Sequence, residues 1–75
     1  MFSKKIFSCR LRQLRTSRNI KQKDLGQIAG ISEAAIAQLE SGKRGPSIDV
    51  ACILARFFEV SLDYLVGLSD NPRRH

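Results

Sequence analysis

The sequence predicts a compact all-α domain of five short helices, assembled around a helix-turn-helix. Three observations carry that expectation. Apolar residues recur at helical spacing through most of the chain, as at Phe7, Leu11 and Leu14. Serines stand before three of these runs, at Ser32, Ser47 and Ser61, where a hydroxyl can cap a helix N-terminus. Finally, residues 22–41, QKDLGQIAGISEAAIAQLES, hold two such runs joined by Ala29-Gly30-Ile31-Ser32.

In chain order, residues 1–6 form a leader, basic and apolar together. A frayed arm, an extra turn of helix and an edge that pairs with another subunit all remain open for it. Residues 7–18 are the first helix, with Arg10, Arg12 and Arg18 turned outward, and Asn19-Ile20 make the first turn. Residues 21–28 are the second helix, with Leu25 and Ile28 as its apolar side. Gly30 can take the left-handed backbone that ends a helix, Ile31 can plug the angle, and Ser32 can cap the next helix.

That third helix, residues 32–41, turns Ala35, Ile36 and Leu39 inward. Its other side presents Glu33, Ala34, Ala37, Gln38 and Ser41. Two helices in this arrangement offer the second to the DNA major groove, N-terminal residues first. Gln38 can pair twice with adenine, Glu33 can accept from cytosine or serve only as an acid near a helix N-terminus, and Ala34 and Ala37 can meet a thymine methyl. Gly42 ends the helix, and Lys43 and Arg44 are placed for backbone phosphates. This loop is no nucleotide-binding P-loop, because Ala37 and Arg44 stand where Gly and Ser or Thr are required.

Ser47 opens the fourth helix, whose broad apolar face is Ile48, Ala51, Cys52, Leu54, Ala55 and Phe58. Glu59-Val60 turns the chain, and Ser61 caps a fifth helix, residues 62–66, that ends at Gly67. Tyr64, Leu65, Val66 and Leu68 exceed what one small core needs, and read either as core filling or as a dimer surface. Residues 69–75 read as a flexible polar tail.

Seventy-five residues allow one small domain, and 43% hydrophobic content is enough to fold it. No apolar run approaches a membrane span or a signal peptide, so a cytoplasmic protein is expected. Cys9 and Cys52 have no metal-ligand neighbours and read as reduced, partly buried thiols; no metal, cofactor or small-molecule ligand is indicated. The single histidine is His75 at the chain end, and no acid pair or nucleophile–base set is present, which argues against an enzyme. Net charge is +6, and eight of the thirteen basic residues precede the first acid, Asp24. Beside a helix-turn-helix, phosphate attraction accounts for that run better than a merely solvated face.

Gln22, Leu25, Gly30, Ile36, Leu39, Glu40 and Gly42 fall at a spacing that resembles the Cro/repressor-type (XRE-like) helix-turn-helix family of bacterial and phage transcription regulators. The likeness runs from about Phe7 to Leu68 and includes Pro46-Ser47 and the run VSLDYL at 60–65. It implies a lambda-repressor-like five-helix domain over residues 7–68. The implied function is sequence-specific regulation on double-stranded DNA, usually repression, by a homodimer that reads the major groove with helix 32–41 and resides on the nucleoid. Base contacts would come from Glu33, Ala34, Ala37 and Gln38, and backbone contacts from Gln22, Lys23, Ser32, Ser41, Lys43 and Arg44. The resemblance also implies a structural ion pair between Arg15 and Glu40. Two positions depart from the family pattern: Gly26 replaces an Ala and Lys21 replaces a Ser or Thr cap, each weakening the second helix by about 1 kcal/mol. A different class of function stays open, a protein-interaction module of the same fold, as in antitoxin or anti-repressor systems.

Overall fold

The computed structural model describes residues 2–73, which form five helices and no strand. They are α1 (Lys4–Ser17), α2 (Gln22–Ala29), α3 (Glu33–Ser41), α4 (Ile48–Phe58) and α5 (Leu62–Leu65). None is long enough to be stable alone in water. What holds them is a shared core in which Phe7, Leu11, Leu25, Ile36, Leu39, Leu54 and Leu65 are fully buried. Each contributes roughly 1.5–3 kcal/mol, so this burial is the main stabilising term.

α1 begins three residues before the expected start at Phe7. The Ser3 hydroxyl accepts from the Ile6 N–H at 3.2 Å, and the Ser3 N–H donates to the Val66 carbonyl at 3.1 Å. The Phe2 and Phe7 rings lie 6.1 Å apart, so most of the segment read as a leader is a capped and packed helical turn. Met1 lies outside the described residues.

The serine caps before α3, α4 and α5 form at Ser32, Ser47 and Ser61, each accepting from the N–H three residues on. Lys21 makes no side-chain cap for α2. Gly30 takes φ 75°, and the Ile31 N–H returns to the Gly26 carbonyl at 2.9 Å, which fixes the turn of the motif. Gly26 is more than a weak helix former here. A Cβ on it would stand 2.7 Å from the Ile31 carbonyl oxygen, so glycine lets α2 press directly against the turn. α2 buries Leu25, Gly26 and Ala29, which leaves Ile28, expected inside, substantially exposed. On α4, Ile48 is likewise exposed, and Cys52 is half-buried. Cys9 is exposed rather than partly buried, because it lies on the side of α1 opposite Phe7 and Leu11.

The arginines of α1 and its C-cap Arg18 have a structural use that charge counting did not foresee. Arg18 donates to the Phe57 and Phe58 carbonyls at 3.1 and 3.2 Å, at the C-terminus of α4. Arg12 donates to the Glu40 carbonyl at 3.3 Å, near the C-terminus of α3. Arg10, expected to look outward, lies over the Tyr64 ring at 4.0 Å and donates to the Tyr64 and Ser69 carbonyls and to the Asp70 carboxylate. Three guanidiniums of one helix therefore close the carbonyl ends of three others, where the helix dipole also favours a cation.

Arg10 and Ser61 also hydrogen-bond to the segment read as a flexible tail. The Ser61 N–H donates to the Pro72 carbonyl at 2.9 Å, and Arg10 holds Ser69 and Asp70. Arg74 and His75 lie outside the described residues. Leu65 and Val66 are buried within the chain, although Val66 still lines an apolar groove together with Phe2, Ile48 and Leu68, and Tyr64 is half-covered beneath Arg10. They pack inward because α5 is a single turn whose apolar side closes the core against α1 and α4.

Candidate nucleic-acid interface

α3 is seated by Ile36 and Leu39, buried in the core, and by Glu40, which is 4% exposed. Glu40 is the polar anchor of the motif. Its Oε2 accepts from Arg15 Nε, and its Oε1 accepts from Arg15 Nη2 at 3.0 Å and from Gln22 Nε2 at 3.1 Å. Arg15 Nη1 in turn donates to the Ile20 carbonyl at 2.8 Å. The hydrogen bonds to Glu40 push the Arg15 pKa above its ordinary value, against the burial that would lower it. One buried carboxylate therefore ties α1, the first turn, α2 and α3 together, and every polar atom it brings inside has a partner.

Seating α3 this way leaves the opposite side free. Glu33, Ala34, Gln38 and Ser41 are exposed and Ala37 is half-buried, so the stripe expected to face a partner is presented as one surface. The Ser32 hydroxyl accepts from the Ala35 N–H at 3.0 Å, and the Ser41 hydroxyl donates to the Gln38 carbonyl at 3.1 Å, so both serines first serve the helix. At the other end of α3, Gly42 takes φ 79° and turns the chain into the loop that carries Lys43 and Arg44, both exposed. Arg44 Nη1 reaches back to Gln38 Oε1 at 3.4 Å, which orients the amide and leaves its N–H donors free. Lys23 is exposed at the start of α2, while Gln22 is half-buried against Glu40.

All the residues assigned to base and backbone contacts except Gln22 and the half-buried Ala37 thus lie open along α3 and its two flanks. Gln22 is divided, with one amide hydrogen held by Glu40. Nothing in its own sequence neighbourhood could have announced that bond, because its partner is eighteen positions away. Among the described residues, no cluster of His, Cys, Asp and Glu is arranged to hold a metal, and no helix is long and apolar enough to cross a membrane.

A helix-turn-helix family model matches residues 11–65, well over half of the chain. The chain belongs to that helix-turn-helix family. It is 38% identical over 63 residues to the HTH-type transcriptional regulator YobD of Bacillus subtilis, covering 84% of this chain and 56% of that one. With the HTH-type transcriptional activator BcrR of Enterococcus faecalis it shares 37% identity over 61 residues, 81% of this chain and 30% of the relative. The chain thus spans about half or less of these two curated relatives. A third, the regulator MJ0272 of Methanocaldococcus jannaschii, is 35% identical over 62 residues and is covered to 94%. Among solved structures, the P22 c2 repressor in complex with a synthetic operator superposes with a TM-score of 0.80 at 30% identity, over 85% of this chain and 97% of that one. The restriction-modification controller protein C.AhdI of Aeromonas hydrophila gives 0.74 at 27% identity, over 83% and 94%. This XRE-like helix-turn-helix domain therefore has the lambda-repressor-like fold, and the relatives it matches are transcriptional regulators rather than enzymes.

Proposed function

We propose that this chain is a sequence-specific regulator that binds double-stranded DNA as a homodimer, reads the major groove with α3, and represses by occupying a promoter. The observation that carries the reading is the division of α3 into two sides. One side is locked by Ile36, Leu39 and Glu40, and the other presents Glu33, Ala34, Ala37 and Gln38 beside the basic loop of Lys43 and Arg44. A rigid helix with short polar and methyl groups outward and cations at its end suits base edges flanked by phosphates. The P22 c2 repressor, of the same fold, has been solved on an operator, which supports the reading. Such a protein works in the cytoplasm, on the nucleoid.

Homodimerisation is supported by an apolar groove of about 380 Å³, whose lining includes Phe2, Pro46, Ile48, Leu62 and Leu68. Phe2, Ile48 and Leu68 are large exposed apolar side chains, and a second copy would cover them. A monomer mass that holds at every concentration, with and without DNA, excludes that assembly.

Two variants test the readout. Gln38→Ala is expected to lose about 1–3 kcal/mol of discrimination at one base pair per half-site, whereas Lys43→Ala weakens every sequence alike. Unchanged base preference in Gln38→Ala removes that residue from the readout. A reporter placed behind the bound site falls when a repressor is expressed, and a rise reverses the sign of regulation.

A further inference from the structure

We infer that Lys4, in the first turn of α1, is a further contact to the DNA phosphate backbone, continuing the basic edge formed by Lys43 and Arg44. The inference rests on the DNA-binding reading above and extends its surface to a part of the chain far away in sequence. The first turn of α1 lies against the loop that follows α3. A Cβ placed on Gly45 would meet the Phe2 ring at 3.3 Å and Lys4 Cγ at 3.6 Å, and one placed on Gly42 would meet Ser8 Oγ at 3.7 Å. The aliphatic stem of Lys4 thus runs over the residue next to Arg44, with its ammonium three bonds farther out.

This position is fixed rather than incidental. The Ser3 cap and the Ser3–Val66 hydrogen bond hold the turn, and the Phe2 ring wedges against both Gly45 and Phe7. Lys4 is exposed, and among the described residues the ion pairs involve Arg10 and Arg15, not Lys4. The loop beside it, residues 42–47, contains no acid, the nearest in sequence being Asp49 in the first turn of α4. Folding stability does not explain the lysine either, because a cation in the first turn opposes the helix dipole, and α1 has no acid there to offset it. The arginines of α1 and its C-cap Arg18 are engaged with backbone carbonyls, whereas Lys4 abuts the loop and forms no ion pair among the described residues. A polyanion lying along Lys43 and Arg44 supplies that partner, and each phosphate so neutralised releases condensed counterions.

The test is the salt dependence of binding to the site selected for the full chain. Lys4→Ala is expected to lower the slope of log K against log salt by about 0.9 per lost contact, or about 1.8 for a dimer with two copies. Base preference should not change, the melting temperature should not fall because a cation that opposes the helix dipole is removed, and Lys4→Arg should restore the slope. Lys5→Ala, about 100° around the same helix, removes the same charge and should leave the slope within error. Lys43→Ala serves as the benchmark. If Lys43→Ala lowers the slope and Lys4→Ala does not, the Lys4 contact is refuted while the DNA-binding reading stands. If neither changes it, the phosphate-facing loop is refuted and Lys4 falls with it. Equal losses in Lys4→Ala and Lys5→Ala reduce the effect to net charge and also overturn the contact.

Discussion

Breaking the Arg15–Glu40 pair from its two sides should have unequal consequences. The Glu40 side chain is 2% exposed and that of Arg15 is 16%. Arg15→Met leaves a carboxylate sealed among apolar groups with Gln22 as its remaining donor, which argues for the upper part of the usual 3–5 kcal/mol cost of breaking a buried pair. Glu40→Leu leaves a guanidinium that still bonds the Ile20 carbonyl and has a path to water, so its cost should be nearer 3 kcal/mol or below. A chain of this length has roughly 4–11 kcal/mol of stability in total, so both variants stay measurable in urea or lie at the edge of folding. The double variant Arg15→Met/Glu40→Leu replaces both charges with apolar groups and should return to within about 1 kcal/mol of the parent, or exceed it. Recovery in the double variant is readable even if Arg15→Met alone is unfolded at 25 °C. Two single variants each within about 1 kcal/mol of the parent would refute the anchor role, and a costlier Glu40→Leu would refute the burial argument for the asymmetry.

Three further outcomes can be read from thermal melting. Lys21→Ser should supply the cap that α2 lacks and add about 1 kcal/mol, raising the melting temperature by roughly 4–8 °C; no rise would mean those N–H groups are already satisfied. Gly26→Ala improves helix propensity by about 1 kcal/mol but drives a methyl to 2.7 Å from the Ile31 carbonyl oxygen, so no net gain is expected. A full gain of that size would show that the turn yields freely. Arg18→Gln should cost about 1 kcal/mol by uncapping α4 while leaving the salt slope of DNA binding unchanged; a lowered slope would return Arg18 to the phosphate-facing set.

The motif was legible because its signals are local. Gly30 in the left-handed region, Ser32 as a cap, and Ile36 and Leu39 on one side need no knowledge of the rest of the chain. The pairing of Arg15 with Glu40 entered through family resemblance, since nothing in either residue's surroundings in sequence selects the other. The early start of α1 was obscured by its composition, with two lysines and no acid in the first turn, although Ser3 is a plain cap in retrospect. Arg10, expected outward, is half-buried, and the carbonyl bonds of Arg12 and Arg18 were not foreseen, for a related reason. A basic run looks the same whether its targets are phosphates or carbonyls, and these carbonyls come from helices up to 54 positions away. Periodicity also placed Ile28 inside, because it marks the apolar side of α2 without locating the neighbour that covers it. That neighbour covers Leu25, Gly26 and Ala29 instead. Leu65 and Val66 were ambiguous between core and interface for as long as the packing of a one-turn helix was unknown.

The central claim is that the exposed side of α3 reads a DNA sequence. It is tested most directly by selecting bound duplexes from a random pool with the purified chain at moderate salt. An enriched, two-fold symmetric motif, with half-sites about one helical turn apart and one position that relaxes in Gln38→Ala, is the predicted result. Retention of DNA without any enriched motif, or no retention at all, would contradict it.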